Sequence, residues 1–357
     1  MIDSKYLSLI LAIDKYGSLN KASKELNLTQ SALSHQLKSL EDYLGLSIFH
    51  RRGNKLFFTE AGQELKERAE KIVNEIEQLE SKLLEIKEDQ FNRYVHGYSQ
   101  REAQRLIDQA TTVSDYLHYD SIWEKGSKIL EVGCGVGAQT EIIATKNPES
   151  QIIAIDISKE SIEIAKSKIK SLGITNTEFR IQDVRKLKEE KDGLYDHVFI
   201  CFVLEHLSNP KEILKLVKKL LKPKGTITVI EGDHGSTLFY PENVYSKKVV
   251  NSQVELQKKR GGNANIGRAL YPLLSEAGYK NIEVSPRQIY VDSSKPKLVE
   301  GFIKNTFTAM IQGMSSEIIS EEILSIEEFD KGIKGLLNTT GKDGVFSYTF
   351  FKAKGTI

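Results

Sequence analysis

The chain has 357 residues, of which 39% are hydrophobic and 28% charged, and its formal charge is +1. That length carries two or three domains and a sizeable core, while near-neutrality excludes bulk charge as a reason to bind nucleic acid or membrane, so any basic face is local. Two cysteines, Cys134 and Cys201, exclude a disulfide framework or a thiolate zinc site; they read as buried free thiols of a reducing compartment, and no metal is expected. Met1-Ile-Asp-Ser-Lys-Tyr6 lacks the basic-then-apolar order of a signal peptide, and the longest apolar run, Val198 to Leu204, is far too short to span a bilayer. The expectation is a cytoplasmic protein without a membrane partner.

In chain order, Leu7, Leu9, Ile10 and Ile13 give a helical apolar face that Gly17-Ser18 interrupts. A second helix is expected over Leu19 to Leu26, with small Ala22 at a helix crossing, and Thr29 suits the N-cap of a third. From Thr29 to Leu44, residues Ala32, Leu33, Leu37, Leu40 and Leu44 share one side, while Gln30, Ser31, Ser34, His35 and Lys38 share the other. Two short helices joined by a tight turn describe a helix-turn-helix, and a polar, largely uncharged face suits base edges in a major groove. Phe49 to Thr59 reads as a hairpin, or wing, with Arg51, Arg52 and Lys55 near its tip to hold phosphates. Residues 1–59 carry eight basic side chains against five acidic ones, a local excess that favours a DNA-facing surface.

This block resembles the winged helix-turn-helix of LysR-type transcriptional regulators through Leu19-Asn-Lys-Ala-Ser-Lys-Glu-Leu26, Thr29-Gln-Ser-Ala-Leu-Ser-His-Gln-Leu-Lys38, Arg51-Arg52 and Leu56-Phe-Phe-Thr-Glu-Ala-Gly62. The resemblance implies base contact by Ser31, Ser34, His35 and Lys38 and phosphate contact by Arg51, Arg52 and Lys55. His35 stands where that family usually has arginine. From 61 to 90, Leu65, Ala69, Ile72, Ile76, Leu79, Leu83 and Ile86 recur at spacings of four and three, a heptad seam. A homodimer is expected, which would set two recognition helices on a two-fold DNA site; the alternative is packing of this helix against the rest of its own chain. Beyond residue 90, nothing resembles the effector halves of a LysR-type regulator.

The remainder alternates strand and helix. Strands are expected at 128–133, 151–156, 177–181, 195–201 and 226–231, and helices at 138–145, 159–172 and 210–221, which means a parallel sheet with its ligand at the strand C-ends. Before it, an amphipathic helix from Glu102 to about Tyr116 reads as a lid. After it come a helix around Arg268 to Ala277 and an antiparallel pair, Ile282 to Val291 with Phe346 to Lys352. Residues 295–340 form a helical insertion over the site, whose Met and Phe residues read as core rather than as a substrate pocket.

The first strand runs from Ile129 into Gly133-x-Gly135-x-Gly137, and the second ends in Asp156, where a nucleoside-binding fold places an acceptor for ribose hydroxyls. With Glu131 inside the strand, this spacing resembles class I S-adenosylmethionine-dependent methyltransferases rather than a nicotinamide site. Phe202-Val-Leu-Glu-His-Leu207 and Leu221-Lys-Pro-Lys-Gly225 agree, and the ubiquinone and menaquinone C-methyltransferase-like group is the nearest in pattern. The resemblance implies a Rossmann-like α/β domain with a seven-stranded sheet over 91–357, S-adenosyl-L-methionine as cofactor, and a small-molecule methyl acceptor. It assigns Glu131, Gly133, Gly135, Gly137 and Asp156 to the cofactor, Asp183 to its adenine amino group with Val184 as backbone donor, and Tyr98, Ile157 and Phe202 to further contacts. Methyl transfer needs a base only for a protonated acceptor; the candidates are His234, His206 and Glu205, with loop fixation as the other reading of His206. The expected function is small-molecule methylation by a chain whose own DNA-binding head regulates transcription. The rivals are a regulator that uses the methyltransferase fold as a sensor, and an enzyme whose head only dimerises.

Overall fold

A computed structural model describes residues 4–17, 22–23, 28–52, 55–91, 100–187 and 194–357. The chain divides into two compact units, Met1–Asp89 and Gln90–Ile357.

In the first unit, the helix Ser4–Tyr16 buries Leu9, Ile10 and Ile13 against Leu33, Leu37 and Leu40 of the helix Gln30–Leu44. Thr29 caps that second helix, its hydroxyl accepting the Ala32 N–H at 3.1 Å, and Gly45 ends it in the left-handed region. Most of the helix expected over 19–26 lies outside the described residues, but Ala22 is fully buried in the same core. Glu41 anchors the wing, its Oε1 accepting the N–H groups of Ile48 and Phe49 at 2.7 and 3.2 Å. The wing is the hairpin of β1 (Phe49–Arg52) and β2 (Lys55–Phe58), with Phe49 opposite Phe58; among the described residues it adds one small sheet to a unit that is otherwise mainly helical. The long helix Glu60–Phe91 follows, tied back by Lys66 to Asp14 at 2.9 Å. Along the expected seam Ala69 is buried, whereas Ile72 and Leu79 are 42% and 57% exposed. Leu83 and Ile86 lie beyond the described side chains.

The second unit is built on a seven-stranded sheet of β3 (Lys128–Val132), β4 (Gln151–Asp156), β5 (Thr177–Ile181), β6 (Tyr195–Cys201), β7 (Leu221–Tyr240), β8 (Lys280–Asp292) and β9 (Val345–Thr356), in the order β5-β4-β3-β6-β7-β9-β8. Only β9 runs against the others. The central strands are apolar on both faces, as a sheet covered on both sides requires. Ile129, Ile152 and Phe199 enter one core, Leu130, Ile153, Val198 and Ile200 the other. The helices Lys159–Ser171 and Pro210–Lys219 cover opposite faces, burying Ile162 in the first core and Leu214 and Val217 in the second.

The largest departure from the sequence expectation is β7, which reaches Tyr240 rather than stopping at Glu231. Its parallel pairing with β6 ends at Ile230, but β9 continues to pair with it as far as Tyr240 opposite Val345. The expected antiparallel pair is β8 with β9, Tyr290 opposite Ser347. The insertion is helical and includes a π-helical segment, Val299–Thr308. Its last helix, Ile326–Asn338, starts in a capping box of Ser325 and Glu328.

Candidate cofactor and acceptor site

The loop after β3 is fixed by its own backbone, with Gly133 and Cys134 N–H both donating to the Ile155 carbonyl at 2.8 and 3.0 Å. Its glycines have three different reasons to lack a side chain. A Cβ on Gly133 would come 2.5 Å from Val203 Cγ2, and one on Gly137 3.0 Å from the Cβ of Ala165, whereas one on Gly135 would meet open space. Gly135 is therefore where a ligand can approach the backbone. Gly137 admits the neighbouring helix and is not among the residues that line the cavity.

Gly135 N–H donates to Asp156 Oδ2 at 2.8 Å, and Ser158 N–H to Oδ1 at 2.8 Å. Burial pushes the Asp156 carboxyl up while these amides oppose the shift. The two bonds aim Asp156 into a cavity of about 250 Å³ that opens from the glycine loop along the C-terminal ends of the strands. Gly133, Ile157, Asp183, Val184 and Phe202 also line it. Ile157 is 57% exposed, and Phe202 adopts φ 58°, the left-handed region. Burial acts against ionisation of Asp183, but Arg185, whose Nε and Nη2 reach its two oxygens at 2.8 to 3.0 Å, holds the carboxyl below its usual range.

Glu131, expected at the cofactor, is not among the residues that line the cavity. It is buried beneath the loop, off the cavity wall, with Thr140 Oγ1 donating to its Oε2 at 2.7 Å, and burial pushes its carboxyl up to about 7. By strand alternation Glu131 shares its face with Ile129, which packs in the same core as the wall residues Phe302, Phe307 and Tyr348. Tyr98 lies outside the described residues.

The far part of the cavity holds all three base candidates. His234, within β7, is buried, ring-stacked with Phe307 at 5.8 Å and edge-on to Tyr348 at 5.4 Å; burial pushes its pKa down to about 4. Its imidazole is thus neutral at pH 7. Glu205 and His206 lie in a short turn after β6, 3.7 Å apart between Oε1 and Nε2. The Glu205 carbonyl accepts from Asn263 N–H at 2.7 Å and Gln257 Nε2 at 2.9 Å.

The cover comes from two places. Arg105, Leu106 and Gln109 belong to the helix Gln100–Leu117, in the place expected of a lid, and Phe302, Thr306, Phe307 and Met310 to the insertion. The insertion's Phe and Met residues are both core and wall: Phe302, Phe307 and Met310 are at most 8% exposed and still face the cavity. Arg105 and Tyr348 line the site without a local motif that marks them, since each reaches it through tertiary packing. Cys134 and Cys201 also border it, and burial pushes both thiols well up.

In the first unit, Ser31, His35 and Lys38 lie on the exposed face of the helix Gln30–Leu44, with Ser34 half-buried beside them. Arg51 and Arg52 lie in β1 and Lys55 in β2, with Arg52 paired to Lys55 at the hairpin end. Their side chains are outside the described part.

Residues 4–63 match the family described as bacterial regulatory helix-turn-helix protein, lysR family, and residues 123–278 match a methyltransferase domain. The chain thus joins a segment similar to the lysR-family helix-turn-helix to a segment similar to a methyltransferase domain. An uncharacterized 37.1 kDa protein in transposon Tn4556 of Streptomyces fradiae is 28% identical over 61% of this chain and 64% of its own length. The HTH-type transcriptional regulator MetR of Haemophilus influenzae is 38% identical over 24% of this chain and 28% of its own. The ubiquinone biosynthesis O-methyltransferase of Xanthomonas campestris pv. campestris is 35% identical over 29% of this chain and 41% of its own. The chain thus spans less than two thirds of each of these relatives. The glycine loop, Asp156, Glu205, His206 and His234 all lie within the segment that matches the methyltransferase domain.

Proposed function

We propose that this chain is an S-adenosylmethionine-dependent methyltransferase of a small molecule, carried on a lysR-type head that binds DNA and regulates transcription. The observation that carries the enzymatic part is the cavity itself, which runs from the glycine loop and Asp156 to a neutral, buried histidine. Its residues fit the cofactor. Open space at the Gly135 Cβ position admits a ligand to the loop, Asp156 is held by two amides with oxygen lone pairs left for ribose hydroxyls, and Asp183 with Val184 can meet the adenine edge. Bound there, S-adenosylmethionine supplies a methyl group on a good leaving group, so positioning provides most of the acceleration. His234 can take a proton from the acceptor because it is neutral at working pH. Phe302, Phe307, Met310 and Tyr348 exclude water and favour an apolar, ring-containing acceptor.

The head presents Ser31, His35 and Lys38 outward, as base reading requires. Exposed Ile72 and Leu79 on the long helix supply a seam for a second copy, and the resulting dimer would act on DNA in the cytoplasm. No described helix is long and apolar enough to cross a membrane.

The test is transfer of labelled methyl from S-adenosylmethionine to a small-molecule extract, alongside retention of the chain's own upstream DNA at fixed salt. Label in a metabolite together with sequence-specific retention is expected. Specific retention shifted by cofactor, with no transfer, would leave the sensor reading; transfer without retention would leave an enzyme with a dimerising head.

A further inference from the structure

We propose that Glu231 is a positioning residue that locks the turn after β6 and so ties the cofactor loop to the acceptor end of the cavity, an inference that rests on the cofactor reading above. The parallel pairing of β6 and β7 ends at Cys201 opposite Ile230. Glu231, the next residue of β7, is fully buried, and its Oε1 accepts the N–H groups of Val203 at 3.0 Å and Leu204 at 2.7 Å. The chain enters this turn through Phe202 at φ 58°. Backbone in so unfavourable a region persists only where its surroundings hold it, and these two hydrogen bonds supply the hold.

The turn projects in two directions. Val203 presses on Gly133, where a Cβ would lie 2.5 Å from its Cγ2, so the turn buttresses the first glycine of the cofactor loop. Glu205 and His206 follow directly and face the acceptor end. One buried side chain therefore sets both halves of the cavity without touching either ligand, for Glu231 itself does not line the wall. Its other oxygen, Oε2, has no hydrogen-bond partner among the described residues. Burial, with Glu205 nearby, pushes the Glu231 carboxyl well above the usual range. One carboxyl oxygen accepts the two N–H groups, and the oxygen of a glutamine amide can do the same.

The test compares Glu231→Gln and Glu231→Ala in the full chain, reading S-adenosylhomocysteine affinity by calorimetry and unfolding by the fluorescence of Trp123. Wild type is expected to bind, Glu231→Gln to stay within about threefold of it, and Glu231→Ala to bind about tenfold or more weakly. A lowered unfolding midpoint in Glu231→Ala with unchanged affinity is the signature of a merely structural role and overturns the proposal. Absence of binding by wild type instead removes the cofactor reading and the proposal with it. Should Glu231→Ala not fold, Glu231→Asp decides, because it keeps a small carboxyl at the position but draws it back from the two N–H groups: weakening of about tenfold supports the coupling, and unchanged affinity overturns it.

Discussion

Alanine at Gly133 and alanine at Gly135 are the same chemical change two residues apart, yet the structure assigns them different consequences. Both positions have positive φ, 72° and 50°, so each alanine costs about 1–2 kcal/mol in the left-handed region. At Gly133 the new Cβ also falls 2.5 Å from Val203 Cγ2, an overlap that adds about 1–3 kcal/mol of overpacking. Gly135→Ala meets nothing. Gly133→Ala should therefore destabilise by about 2–5 kcal/mol and Gly135→Ala by about 1–2 kcal/mol. Urea unfolding followed by Trp123 is the assay, because the single tryptophan packs on His197 at 4.4 Å and Phe199 at 5.9 Å and so reports this unit alone. Cofactor affinity should run the other way relative to stability, with Gly135→Ala losing about tenfold or more because its methyl occupies the ligand's approach. Equal destabilisation by the two variants, or full cofactor affinity in Gly135→Ala, would refute the assignment of separate roles to the two glycines.

Three further outcomes follow from the same geometry. The Glu131 carboxyl, raised to about 7 in the fold, stabilises fully below its ordinary value of 4.5, and that contribution is lost as pH rises through 7; wild type should lose about 3 kcal/mol more than Glu131→Gln between pH 4.5 and 8, measured by urea unfolding. His234, lowered to about 4, contributes stability present above 6.5 and lost as pH falls through 4; His234→Gln should flatten that acid loss by about 3 kcal/mol, and His234→Ala should cut turnover about a hundredfold on an identified acceptor, with unchanged turnover removing it as base. Sedimentation equilibrium at micromolar protein should show a dimer that Ile72→Lys with Leu79→Lys converts to monomer, and a monomeric wild type would remove the seam.

What the sequence made legible was what local pattern controls. Thr29 announced a helix start, Ile129 to Val132 a buried strand, and Asp156 a carboxylate at a strand end, because capping and strand alternation are set by near neighbours. The motif's spacing drew Glu131 toward the cofactor, whereas its burial against Thr140 depends on how the following helix packs. The extension of β7 to Tyr240 depends on β9 more than a hundred residues later, so no local signal could mark it. Glu231 was visible as a carboxylate ending an apolar run, but its role depends on Val203 and Leu204 across the neighbouring strand. Arg105 and Tyr348 meet the cavity only through packing of distant segments.

The most direct measurement is calorimetric titration of the full chain with S-adenosylmethionine, beside Asp156→Ala. One site per chain in wild type, with affinity reduced about a hundredfold by Asp156→Ala because the ribose acceptor and the tether of Gly135 are lost together, is the predicted result. No binding by wild type at millimolar cofactor, or equal binding by the variant, would contradict the account.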